Sequence, residues 1–184
     1  MPGMSLANKI SVLRILLVPG IIACILYYHP ERDWLRVLAF VLFLIGMVSD
    51  AVDGFIARSR QQQTQLGTLL DPIADKALIL SALICCSVVR GLPDWMRIPA
   101  WFNLIVISRD AVVVVGTGVL FLMLGRWKIR PSLLGKWATF AQMLVVPVIL
   151  LKLLPLKLPL LVIAAALTIG SGVGYVRQGI RDLA

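Results

Sequence analysis

The sequence predicts an all-α integral membrane protein, a six-transmembrane-helix bundle forming a single domain over residues 1–184. Three observations predict it. Hydrophobic residues make up 60% of the chain and the mean hydropathy is +0.95, well beyond the roughly 45–50% apolar content of soluble domains. Six apolar segments, at 10–28, 35–56, 68–89, 98–124, 133–151 and 156–176, each approach the roughly 20 residues that cross a hydrocarbon core about 30 Å thick. The links between them are short, and the apolar runs are continuous rather than alternating, which argues against a closed β-barrel.

The segments can be justified in order. Residues 1–8 lack the basic region and small-residue cleavage site of a signal peptide, so the first helix is expected to remain in the mature protein. Asn8 is placed to cap that helix, and His29-Pro30 to close it. The third segment is expected to begin at Gly67, with Thr68 and Asp71 at capping-box spacing and Pro72 in the first turn. In the fourth, Arg109-Asp110 puts two opposite charges inside an apolar run, where they must face protein rather than lipid. Structurally this implies an ion pair to another helix; functionally, a planar fork for a phosphate. The loop 125–136 then gathers Arg126, Lys128, Arg130 and Lys136, cations placed to form an anion pocket, and Thr139 and Gln142, one to two turns later, are expected to line the same cavity. The last segment ends in Gly170, Gly172 and Gly174, small residues that permit close helix packing and suit a homodimer. Cys24, Cys85 and Cys86 have no metal-ligand spacing and read as buried thiols. Trp95, Trp101, Trp127 and Trp137 fall near segment ends, as interfacial aromatics do.

The net charge of +9 could indicate nucleic acid, but its placement excludes that partner. The basic residues divide between the segment ends, with the larger share on the side of the link between the second and third segments. That bias predicts cytoplasmic termini and a surface suited to anionic membrane lipids.

One stretch carries the chemistry. Four of the nine acidic residues, Asp50, Asp53, Asp71 and Asp75, fall within residues 50–76, flanked by membrane-length apolar runs. A charged residue at mid-bilayer costs roughly 2.5–3.5 kcal/mol on insertion scales, so the four need a compensating charge. At about 100° per residue, Asp50 and Asp53 lie about 60° apart on one helix face, and Asp71 and Asp75 about 40° apart on another. If residues 59–66 turn a helical hairpin, Asp53 and Asp71 both sit roughly 6–8 Å from the turn, and Asp50 and Asp75 roughly 12 Å from it. The result is an all-oxygen cage near one membrane surface, suited to Mg2+ or Mn2+ rather than zinc. Gly54 leaves room for a ligand to approach the backbone, and Arg58 and Lys76 bring positive charge suited to a phosphate. A hairpin of merely solvated acids is the structural alternative.

The pattern Asp-x-x-Asp-Gly-x-x-Ala-Arg, eight residues, Gly-x-x-x-Asp-x-x-x-Asp is present without substitution. It resembles the signature of the CDP-alcohol phosphotransferases, integral membrane enzymes of six helices that move a substituted phosphate from a CDP-linked donor to an alcohol, releasing CMP. The resemblance implies a two-metal site at Asp50, Asp53, Asp71 and Asp75, with Asp75 the general base. It implies that Asn8, Gly54, Ala57, Arg58, Gly67 and Thr68 hold the CDP moiety, with Arg14 also near it. Arg109, Lys128, Arg130 and Lys136 would receive an anionic acceptor. The segments 107–110, 128–132 and 135–142 most resemble the cardiolipin synthases of this type, which implies CDP-diacylglycerol as donor and phosphatidylglycerol as acceptor. The phosphatidylglycerophosphate synthases, which use glycerol-3-phosphate, are the alternative within the family. Outside it stands a divalent-cation transporter, disfavoured because no acidic chain continues across the bilayer.

Overall fold

The computed structural model describes the backbone of residues 6–60, 65–124 and 132–183, and the side chains of residues 12–49, 74–119, 122 and 132–181. The described residues are helical, without strands: α1 (Leu6–Leu26), a single 3-10 turn (Pro30–Arg32), α2 (Trp34–Arg60), α3 (Gln65–Val88), α4 (Ala100–Leu124), α5 (Leu133–Leu150) and α6 (Leu154–Leu183). All six expected helices are present. Three of them, α4, α5 and α6, are long and apolar enough to cross a membrane, and shorter apolar stretches occupy Val12–Leu26 and Trp34–Ser49.

Helix starts differ from the sequence expectation. Helix α1 already includes Leu6, so Asn8 lies within the helix rather than at its cap. Helix α3 already includes Gln65, so Thr68 and Asp71 lie within the helix rather than at its entrance, with Pro72 beyond its first turn. Both helices recruit polar residues that a reading by apolar content assigns to the links. Backbone hydrogen bonding continues through such residues wherever the chain ahead is already helical.

The helices form two compact units, one of Met1–Arg97 with Ile149–Lys152, the other of Ile98–Val148 with Leu153–Ala184. In the first, α1 packs against both α2 and α3. Its core includes Ile21, Ile25, Phe43, Ala74, Leu78, Ala82 and Leu83, each at most 1% exposed. Helices α2 and α3 approach closely at Gly46, where an added Cβ would lie 2.7 Å from Leu78 Cδ2. At that unit's other end Arg36 donates to both oxygens of Asp33 at 2.8 and 2.6 Å and to the Leu150 carbonyl. Lys152, with φ of 59° after the end of α5, brings its ammonium 3.2 Å from Asp33 and 5.1 Å from the centre of the Trp95 ring. The Arg36 guanidinium, with help from Lys152, holds the Asp33 carboxyl well below the usual carboxylate range.

In the second unit α4 packs against α6, over a core that includes Phe102, Val106, Ala138, Val146 and Ala164. Gln142 on α5 donates to Thr168 on α6 at 2.8 Å, and the Thr168 hydroxyl donates to the Ala164 carbonyl at 2.6 Å. This pair staples two helices from inside, which replaces the expectation that Gln142 lines a ligand cavity. Outward faces are apolar, with Val114 at 71% and Leu122 at 83% exposed. Contiguous apolar surface of this kind has no place in water, and hydrocarbon is its natural solvent. Cys24 and Cys86 are buried and Cys85 half-buried, all as free thiols.

Candidate active site

Helices α2 and α3 carry the four carboxylates. Asp50 is ten residues before the end of α2 at Arg60, and Asp75 ten after the start of α3 at Gln65. Asp53 and Asp71 are seven and six residues from the same two ends. At 1.5 Å per residue the deeper pair therefore sits about 15 Å from Arg60 and Gln65 and the shallower pair about 9–10 Å. The Gly46–Leu78 contact fixes the register independently. Four residues up α2 from Gly46 is Asp50, and three down the numbering of α3 from Leu78 is Asp75. Another turn on each helix reaches Asp53 and Asp71. An antiparallel pair in that register keeps each Asp of α2 level with one of α3.

Among the four, the described side chain is that of Asp75. It is 29% exposed, and its Oδ1 accepts a hydrogen bond from Nη1 of Arg14, which is fully buried on α1. Ala74 and Leu78, on either side of Asp75, are buried. The arginine that the resemblance set near the nucleotide thus reaches the acidic cluster itself. A buried pair of this kind is stable only while both partners remain, since removing one strands the other charge.

The side chains of Asp50, Asp53 and Asp71, and those of Asn8, Gly54, Ala57, Arg58, Gly67 and Thr68, lie outside the described residues, although their backbone is helical. No group of three or more metal-ligating side chains occurs among the described residues, which hold one of the four acids. All four are carboxylates, the hard oxygen donors that Mg2+ and Mn2+ prefer.

The second unit brings together a different polar junction. Arg109 on α4, 9% exposed, donates through Nη1 to Asp110 and through Nη2 to Ser171 on α6, each at 2.9 Å. Its guanidinium lies 5.4 Å from the centre of the Tyr175 ring. Gly135 at the start of α5 makes room for it: a Cβ there would lie 2.9 Å from Arg109 Nη2, 3.0 Å from Ser132 Oγ and 3.2 Å from Ser171 Oγ. The ion pair expected with another helix is made instead to the adjacent Asp110 on α4, and the contact to α6 is a hydrogen bond to Ser171. Beside it, α4 and α6 enclose an apolar groove of about 630 Å³ bordered by Arg109 and Arg177. Lys136 is exposed on α5, while Lys128 and Arg130 lie outside the described residues. Gly172 contacts the Arg109 side chain, whereas Gly170 and Gly174 have nothing within 4 Å. Sequence reading missed Ser171 and Tyr175. A serine between two glycines, three residues after the buried Thr168, was the available signal.

A family model described as CDP-alcohol phosphatidyltransferase matches residues 4–170, so the chain belongs to that family. Among its relatives is a probable phosphatidylglycerophosphate synthase of Mycobacterium tuberculosis, 34% identical over 183 residues that cover 97% of this chain and 83% of the relative. A CDP-diacylglycerol--glycerol-3-phosphate 3-phosphatidyltransferase of Bacillus subtilis is 35% identical over 84% of this chain and 80% of its own length. A putative cardiolipin synthase of Mycobacterium bovis is 34% identical over 80% of this chain and 65% of its own length. The protein is thus a membrane enzyme of phospholipid synthesis, as its sequence signature implied.

Proposed function

We propose that the chain transfers the phosphatidyl group of CDP-diacylglycerol to glycerol-3-phosphate, forming phosphatidylglycerophosphate and releasing CMP. This replaces the acceptor expected from the sequence, phosphatidylglycerol. Relatives aligned over most of both chains carry glycerol-3-phosphate in their names or the product name phosphatidylglycerophosphate, whereas the match to the cardiolipin synthase leaves a third of that protein unmatched.

What supports the reaction is the family match over residues 4–170, together with Asp50 and Asp53 on α2 and Asp71 and Asp75 on α3, either side of one link. These four residues would hold Mg2+ or Mn2+, and such a cation, when bound, offsets the negative charge of a diphosphate and of departing CMP. Asn8, Gly54, Ala57, Arg58, Gly67 and Thr68 receive the CDP moiety. Asp75 accepts the proton of the acceptor hydroxyl. The hydroxyl oxygen bonds to the phosphorus that carries diacylglycerol, the bond from that phosphorus to the bridging oxygen breaks, and CMP leaves with the electron pair. Arg109, held flat by Asp110 and Ser171, supplies a fork for the acceptor phosphate, with Lys128, Arg130 and Lys136 adding positive charge. All six helices cross the bilayer, with the active site and both termini at the cytoplasmic surface, in keeping with the distribution of basic residues.

The test supplies purified enzyme with CDP-diacylglycerol and either glycerol-3-phosphate or phosphatidylglycerol, then identifies the lipid. Phosphatidylglycerophosphate is the expected product; cardiolipin from the second mixture and nothing from the first would restore the other acceptor.

A further inference from the structure

Arg14 has no part in the signature that marks the reaction, yet it is the residue that meets Asp75. It is 0% exposed, it comes from α1, and its guanidinium bonds the carboxylate of a residue 61 positions away on α3. Helix α1 packs against both helices that carry the acidic cluster. A buried guanidinium is permanently charged, and its fork fixes the carboxylate it meets. It therefore does two things that a neutral residue of similar size cannot. It sets the orientation of Asp75, and it offsets one of the four negative charges before any cation arrives.

Resting on the reading of these acids as a cation site, we propose that Arg14 is a positioning residue that holds Asp75 for proton transfer and limits how tightly the cluster binds a divalent cation. The two effects have opposite signs in one variant. Without the guanidinium, the cluster carries one more uncompensated negative charge, so a cation binds more tightly. Asp75 meanwhile loses the contact that orients it, so turnover falls. A purely structural bridge between α1 and α3 would lower both together.

The experiment uses the full chain in detergent, with Mn2+ alone as the probe, followed by titration of free Mn2+ by electron paramagnetic resonance, and CMP release measured separately. Arg14→Gln should bind Mn2+ about fivefold to tenfold more tightly than the native protein, from the loss of one nearby positive charge. Its kcat should fall at least about tenfold, in line with a misplaced acid-base group. Arg14→Lys keeps the charge without the fork, so Mn2+ affinity should be native while kcat is intermediate. Native or weaker Mn2+ binding by Arg14→Gln overturns the proposal, as does native kcat in that variant. If Arg14→Gln does not fold, Arg14→Lys decides: reduced kcat at native affinity supports the role, and native kcat overturns it. A native chain that neither binds Mn2+ nor releases CMP removes the reading of the site itself, a result distinct from an active native chain with unaffected variants.

Discussion

Asp33 and Asp75 each meet an arginine, and their surroundings give the two pairs different work. Asp33 is 40% exposed in the link before α2, gripped by Arg36 at 2.6 and 2.8 Å with Lys152 beside it. Its folded pKa is depressed below the unfolded value of about 3.9, so its contribution to stability is complete above that value and is lost as pH falls through the acid range below it. Solvent screening keeps that contribution small. In thermal melts at pH 6 and pH 3, Asp33→Asn should therefore lose slightly less stability on acidification than the native chain; an equal loss would place the titrating groups elsewhere. Asp75, partly buried against Arg14, is assigned to chemistry. Asp75→Asn keeps the shape of the side chain but cannot accept the proton, so CMP release should fall by about 10²–10⁴-fold while CDP-diacylglycerol still binds in part. Full activity in that variant would remove Asp75 from the mechanism.

Between helices, two glycines make contacts that a methyl group would disturb in different ways. At Gly46 an added Cβ meets the end of Leu78 at 2.7 Å. Gly46→Ala should thus cost about 1–3 kcal/mol of stability as overpacking, read as a lower melting temperature in detergent. Gly170→Ala, with nothing within 4 Å, should leave the melt unchanged or slightly raised. At Gly135 the methyl would press on Arg109 and Ser171, so Gly135→Ala should raise the KM for glycerol-3-phosphate by up to about 10²-fold through displacement of the fork. An unchanged KM would separate Arg109 from the acceptor. These contacts mark where sequence reading stops. All six helices were legible in apolar length, and three of them, α4, α5 and α6, are long and apolar enough to cross a membrane. That Asn8 and Thr68 lie within helices was not legible, because polar residues join a helix by backbone bonding that hydropathy does not register. The role of Gln142 was also hidden: that it would bond Thr168, rather than line a cavity, depends on which face of α5 meets α6.

At the scale of the whole molecule, the catalytic signature was legible because fixed spacing on helices converts directly into geometry. The pairs on α2 and α3 come level when each helix is drawn at 1.5 Å per residue, and the Gly46–Leu78 contact agrees. The sequence resemblance set Arg14 near the nucleotide but did not show its contact with Asp75, which spans 61 residues that local pattern does not encode. Relatives named for glycerol-3-phosphate favour it as acceptor over the phosphatidylglycerol expected from the sequence, a choice that linear spacing does not report. The central claim is that four acids from two membrane helices form one cation site. It is tested most directly by calorimetric Mn2+ binding to the native chain and to Asp50→Asn, Asp53→Asn, Asp71→Asn and Asp75→Asn, each shown by its melting curve to be folded. Saturable binding by the native chain, weakened at least about tenfold in every variant as expected for loss of a coordinating carboxylate, is the predicted result; native Mn2+ affinity in all four variants would contradict it.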